Sequence, residues 1–462
     1  MQASLASGAT EDSGFAPKSG KSQVKEKSNS RSTKNSRKKK QTSGMSSEQS
    51  IDRHKYTDFI VSLSVKLYVI CGSSLRMTVK ILRLLKECKI LLMEDIPSPN
   101  SIANWVQKSG SFVYESTNGD NFAGSYAVIV DESMMVGSEK LLVTLGVEAE
   151  KLDSNSLTEG DVRVLDMSVK SAWNSAGIGE VFETVSVKMA SPPLYAVSDN
   201  ASTISKAVRD QGYVHVRDVG HTFGLFVQQT YEKEDDFQTF IKEVNGVKFR
   251  EIMRSSAYLL PPKQRTIARF MNISGTVDWA YSMLKAYDQL NAEQQEIFSF
   301  IPQYRMLINE LNDVFRVVNP VLQQLKNEGL SKESLQWSLS KTSLLRLSSW
   351  KRAMSVGNLI ECYIKEEYGK LSEQNKKWHV SSDIIESLFG IYKERKSPNS
   401  MNGVTKQIFF LPLLTEMKRK IPPDTTCFKH YLEDVFLKDL DLWKTNHLSE
   451  NRVVKRNKLL CA

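Results

Sequence analysis

Between residues 122 and 218 the apolar residues fall in short blocks, each closed by a polar or acidic position. Blocks of this length bounded by turn residues predict strands. They cover 126–130 (YAVIV), 140–147 (KLLVTLGV), 162–167, 194–197 and 213–217. Residues 172–189 and 200–211 space their apolar positions at helical intervals instead. The predicted order is β-β-β-α-β-α-β. Asp131 ends the first strand, and the fourth runs into Ser198-Asp199. In a mixed sheet of this order strands one and four are neighbours, so the two carboxylates emerge together at one edge of the core. Two carboxylates that close raise one another's pKa. A divalent cation removes the penalty, and oxygen-only ligands suit Mg²⁺ or Mn²⁺. Taken singly, each Asp also fits a turn residue closing a strand. Asp218 and His221, three apart after the fifth strand, fit either a brace for that metal site or the N-cap and first turn of the next helix.

Elsewhere the pattern is helical. Residues 56–70 and 78–92 are amphipathic candidates, followed by IPSPNSIANWVQKSG. There Ser98 fits an N-cap, Pro99 the first helical position and Gly110 the stop. Ile102, Trp105 and Val106 form the buried stripe, which leaves Asn100, Ser101, Asn104, Gln107 and Lys108 on an outer face. This predicts a helix-turn-helix-like unit that reads DNA through Asn100, Asn104, Gln107 and Lys108; a plain helical hairpin fits the letters equally. Residues 222–372 predict only helices, among them 281–290, 293–300, 304–324 and 345–368. Arg265, Arg269, Trp279 and Lys285 lie in this block, and Trp279 suits either base stacking or a core. In 378–395 (WHVSSDIIESLFGIYKER) Ile384, Ile385, Leu388, Phe389 and Tyr392 form an apolar face. Glu386 and Lys393 then leave one side of the helix about 10 Å apart along its axis. Asp383 and Glu386 also fit a capping pair.

Composition adds limits. The 462 residues suffice for two or three domains, with no apolar run as long as a membrane span and no hydrophobic signal core. An intracellular protein is expected. Its five cysteines are scattered, so neither a zinc finger nor a disulfide framework is indicated. Of the net +9, six charges sit in residues 1–50, a Ser/Lys-rich tail of disordered composition that includes Arg37-Lys38-Lys39-Lys40. Any nucleic-acid surface in the body must therefore be local.

Four features together resemble the DDE transposases of the RNase H-like, retroviral-integrase superfamily, over roughly residues 120–400. They are Asp131 in VIVDES, Asp199 in AVSDNAS, Asp218-x-x-His221, and Glu386 with Lys393 as Glu-x6-Lys. The large helical insertion resembles that of the hAT group. The zinc-binding finger and the C-terminal dimerisation segment of that group are not recognisable. The resemblance implies an α/β RNase H-like mixed sheet interrupted by an all-α insertion and preceded by a helix-turn-helix-like domain. The expected partition is a basic tail (1–50), a DNA-binding domain (51–112), the first part of the catalytic core (120–225), the insertion (226–375), the final catalytic helix (376–400) and a C-terminal helical region (401–462). It further implies that Asp131, Asp199 and Glu386 hold two Mg²⁺ or Mn²⁺ ions, that Asp218 and His221 orient the site, and that Lys393 touches the DNA backbone. The expected partners are double-stranded DNA, as transposon ends and target, and further copies of the chain, with no membrane. The expected location is with DNA, in a bacterial nucleoid or a eukaryotic nucleus. The rival expectations are a domesticated DNA-binding relative that cuts nothing and a nuclease on the same fold.

Overall fold

Alternate residues of the first strand face two different cores. Tyr126, Val128 and Val130 join one buried cluster, while Ala127 and Ile129 join the other. Such period-two burial on both faces belongs to a central strand covered by helices on each side. In the computed structural model, residues 50–136, 139–262, 273–370, 376–396, 399, 402–419 and 428–461 are described.

The sheet has five strands: β1 (Tyr126–Val136), β2 (Glu139–Glu148), β3 (Val162–Lys170), β4 (Tyr195–Ser198) and β5 (Val214–Arg217). They lie in the order β3-β2-β1-β4-β5. β1, β2 and β3 form an antiparallel meander, and β4 and β5 run parallel to β1. The chain is thus a mixed α/β protein. The parallel strands are joined by crossover helices, α4 (Ser175–Lys188) between β3 and β4 and α5 (Ser202–Asp210) between β4 and β5. Both helices pack on the Val128 face, where Ile178, Phe182, Ile204 and Val208 are buried. Asn174 caps α4 by accepting the Gly177 N–H at 2.8 Å, so the helix starts three residues later than the apolar spacing predicts.

Before the sheet come α1 (Asp58–Val69), α2 (Leu75–Glu87) and α3 (Pro99–Ser116). After it come α6 (Val219–Tyr231), α7 (Asp235–Glu251), α8 (Ser274–Ala286), α9 (Ala292–Ile297), α10 (Arg305–Glu328), α11 (Lys332–Arg346) and α12 (Lys351–Gly369). No strand interrupts the described residues of this block. The single helix expected over 345–368 is broken near Trp350, and Gly357 lets α12 approach α11, since a Cβ there would stand 2.9 Å from the Leu345 Cβ. The chain then returns through α13 (Asp383–Arg395), α14 (Phe410–Met417), α15 (Phe428–Glu433), α16 (Leu437–His447) and α17 (Arg452–Leu460). The described residues cluster as one compact unit. No helix among the described residues is long and apolar enough to cross a membrane. The basic tail, Arg265 and Arg269 lie outside the described residues.

α3 departs from expectation. Ser98 does cap it, accepting the Ser101 N–H at 3.1 Å, with Pro99 in its first turn. Gly110, however, does not stop it. It sits inside the helix, where a Cβ would come within 1.8 Å of the Phe409 carbonyl oxygen, so glycine serves a close crossing rather than a terminus. The link from α2 to α3 spans Cys88 to Ser98, longer than the roughly three- or four-residue turn of a helix-turn-helix. Lys108 is buried, and its ammonium donates to the Leu432 carbonyl. Burial lowers its pKa. The outer face expected for this helix is therefore partly an interface with α15.

Candidate functional site

The site forms where the parallel pairing of β1 and β4 runs out. The last paired residues are Ile129 and Val197, and Asp131 and Asp199 each lie two residues further on. Asp131 does not end its strand as expected. β1 continues to Val136 because β2 goes on pairing with it, so only the β4 side opens at this point. Being odd-numbered in β1, Asp131 shares the face of Ala127 and Ile129, the face on which α13 packs. α13 buries Ile384, Ile385, Leu388, Phe389 and Tyr392, and leaves Glu386, Gly390 and Lys393 exposed.

Electrostatics tie these elements together. The Asp131 carboxyl is pushed up to about 7, first by burial, then by the neighbouring Asp199 charge, with Glu386 adding to the effect. The Glu132 N–H, which donates to Asp131 Oδ1 at 2.7 Å, and the charge of His221 pull the other way. His221 Nε2 stands 3.6 Å from Glu386 Oε1, and its Nδ1 stands 3.1 Å from Asp218 Oδ1. The imidazole is raised to about 9, chiefly by its hydrogen bond to Asp218, with the charges of Asp218, Glu386 and Asp199 helping against burial. It bridges one carboxylate that is fully buried and one that is exposed.

Asp218 links the sheet to α13. It caps α6, with Oδ1 accepting the His221 N–H at 2.6 Å. Its Oδ2 accepts the Ser382 N–H at 2.6 Å and the Ser382 hydroxyl at 3.0 Å. Burial opposes its ionisation, but these bonds outweigh burial and hold the carboxyl below the usual range. Both expected roles of Asp218, helix cap and brace, are thus carried by one side chain. The Val219 N–H adds a bond of 2.9 Å to the Val380 carbonyl. Ser382, read from the sequence as part of the helix start, is the N-cap residue of α13 but spends its hydroxyl on Asp218, a bond the sequence does not reveal, rather than on its own helix. The alternative capping pair of Asp383 and Glu386 is not formed: Asp383 pairs with Lys326, and Glu386 faces His221.

Asp131, Asp199, Glu386 and His221 therefore lie within electrostatic reach of one another. Among the described residues, no three His, Cys, Asp or Glu side chains stand grouped as a finished metal site. Each carboxylate is engaged locally, Asp131 by Glu132, Asp199 by the Ala201 N–H at 3.1 Å and Glu386 by His221. The three carboxylates would offer oxygen donors only, and the Asp131 carboxyl is raised first by burial and then by Asp199 and Glu386, a setting that suits hard divalent cations.

The other expected contacts fare differently. Lys393 is exposed on the Glu386 side of α13. Asn100 is exposed and Asn104 and Gln107 half-buried, while Lys108 is committed to α15. Trp279 is half-buried, donates its indole N–H to the Leu259 carbonyl at 2.8 Å and packs edge-on to Phe298. Its ring serves the helical block, because the packing of α8 claims it. Comparison with known families finds no family model that matches the chain, and comparison with curated proteins finds no match.

Proposed function

We propose that the chain is a metal-dependent DNA transposase of the DDE type, a polynucleotidyl transferase that cuts and joins element ends. The observation that carries the reading is that Asp131, Asp199 and Glu386, from three distant segments, come within electrostatic reach at one end of a mixed sheet, with Asp131 raised first by burial and then by the charges of Asp199 and Glu386. The strand order β3-β2-β1-β4-β5 supports an RNase H-like core, and the helices α6–α12 between β5 and α13 support an insertion of the hAT kind.

Asp131, Asp199 and Glu386 are the residues that would hold two Mg²⁺ or Mn²⁺ ions. Bound there, such ions supply Lewis acidity for in-line displacement at a phosphodiester, first by water and then by a DNA 3′-OH. Asp218 keeps the ring of His221 fixed and protonated near neutral pH, which places a cation beside Glu386. The Asp218–Ser382 bonds set where α13 starts, and with it the height of Glu386 over β1. Lys393, about two turns along, meets the DNA backbone. Joining two ends in one assembly calls for more than one copy of the chain.

The test is Mg²⁺-dependent nicking of a plasmid carrying the DNA that flanks the gene. The wild type is expected to nick and join, and Asp199→Ala and Glu386→Gln to lose at least a hundredfold in rate while still binding DNA. Equal product from wild type and Asp199→Ala overturns the enzyme reading in favour of a DNA-binding relative without catalysis. Hydrolysis without strand joining marks a nuclease on the same fold.

A further inference from the structure

The cation-rich face of the N-terminal helices is on α2, not on α3. Arg76, Lys80 and Arg83 are all exposed. At 100° per residue they fall within about 60° of arc, on one face of the helix. The opposite side of α2 buries Thr78 and Leu82 against the body. Among the described residues, none of the three makes an ion pair or side-chain hydrogen bond. α2 holds a single acid, Glu87, in its last turn. Cations left unpaired on one face of an otherwise nearly neutral body are free to meet phosphates.

The place of α2 gives this stripe a direction. α13 begins at the acidic site and ends at Arg395. The Arg395 guanidinium donates to the Tyr68 carbonyl at 2.8 Å and to the Ser73 carbonyl at 3.2 Å. Ser73 immediately precedes Ser74, the N-cap of α2, which accepts the Met77 N–H at 3.2 Å. Gly72, at φ +76, makes the turn that brings the two helix ends together, and a Cβ there would lie 3.4 Å from Arg395. The exposed cation Lys393 lies on the Glu386 side of α13, two residues before Arg395, which anchors the end of that helix to the start of α2.

We infer that α2, through Arg76, Lys80 and Arg83, carries the phosphate backbone of nucleic acid leaving the acidic site past Lys393. Arg76 to Arg83 covers about 10 Å of helix, over which one DNA strand presents roughly three phosphates. The inference rests on the reading of the acidic site given above. It assigns sequence-independent affinity to α2.

The experiment compares full-length wild type with the triple variant Arg76→Gln, Lys80→Gln, Arg83→Gln on a fluorescein-labelled duplex, by anisotropy across a salt series. A control variant, Lys233→Gln, Lys242→Gln, Lys285→Gln, removes the same charge from exposed positions of the helical block. The α2 variant is expected to keep its melting temperature, to bind at least tenfold more weakly at low salt, and to lose about 2 to 3 from the slope of log affinity against log salt. The control is expected to retain the wild-type slope. A wild type that nicks DNA while the α2 variant binds like wild type or like the control overturns the inference and leaves the enzyme reading standing. A wild type that binds no DNA overturns both. Capture of phosphatidylserine vesicles that depends on the three cations, with DNA binding unchanged, also overturns it.

Discussion

The Asp218 carboxylate accepts bonds from two elements at once, α6 through His221 and α13 through Ser382. It has no exposed surface, so an amide in its place would set N–H against N–H. Asp218→Asn is expected to cost roughly 3 kcal/mol in urea unfolding, the order seen when a buried, charge-assisted acceptor is lost. The same change releases His221. Its imidazole, raised to about 9 in the native protein, should titrate near the ordinary value of about 6.5 in the variant, as followed by NMR. The sign is fixed by linkage: a base whose native pKa is raised stabilises fully below its unfolded pKa and loses that contribution as pH rises through 9. Wild-type stability in metal-free buffer should therefore drop by roughly 2 kcal/mol between pH 6.5 and 9.5 relative to the variant, after allowing for solvent screening of a partly exposed ring. An equal slope for both proteins would refute the coupling. The places of Asp131 in β1, of Asp199 just past β4 and of Glu386 on α13 were legible because strand and helix spacing are local patterns, although β1 runs on past Asp131 where its sequence pattern suggested an end. The bond made by Ser382 was not, since its partner lies 164 residues away and a serine before a helix reads as a cap for that helix.

The five-stranded mixed sheet follows from the short apolar blocks, whose lengths and closing residues leave little choice. α3 shows the limit of such reasoning. Its apolar stripe was legible, yet nothing local says that Lys108 and Gly110 meet α15 and the 3₁₀ turn Lys406–Phe409. A helix spacing reveals one buried face; a second packed face hidden behind lysine and glycine needs the partner to be known. Gly110→Ala is the test at this level. A lone methyl on an exposed helix would stabilise by up to about 1 kcal/mol. Here it would strike the Phe409 backbone, and a loss of roughly 3 kcal/mol or more is expected by thermal melting. Stabilisation would mean that α3 is not held against that turn.

At the scale of the molecule, the first and last helical segments make one layer. α3 packs against α14, α15 and α16, Phe112 stacks near Tyr431 at 4.9 Å, and the Asp52 N–H donates to Glu433 at 2.7 Å. Arg163 in β3 joins the layer through Glu416 at 2.9 Å. A chain cut after residue 403 is expected to lose hydrogen-exchange protection in α1 and α3 while β1, β4, α4 and α5 keep theirs, because the second core cluster holds no residue from the C-terminal helices. Uniform protection in the cut chain would show that the N-terminal helices stand alone.

This closure has a price in time. A ribosome delivers α3 more than three hundred residues before Leu432 and Tyr431, the groups that cover Lys108 and Phe112. Long-range closure of that kind is slow. Until the last segments emerge, Lys108 and Phe112 lack their final cover, so the layer that holds α1 and α3 is a property of the finished protein alone.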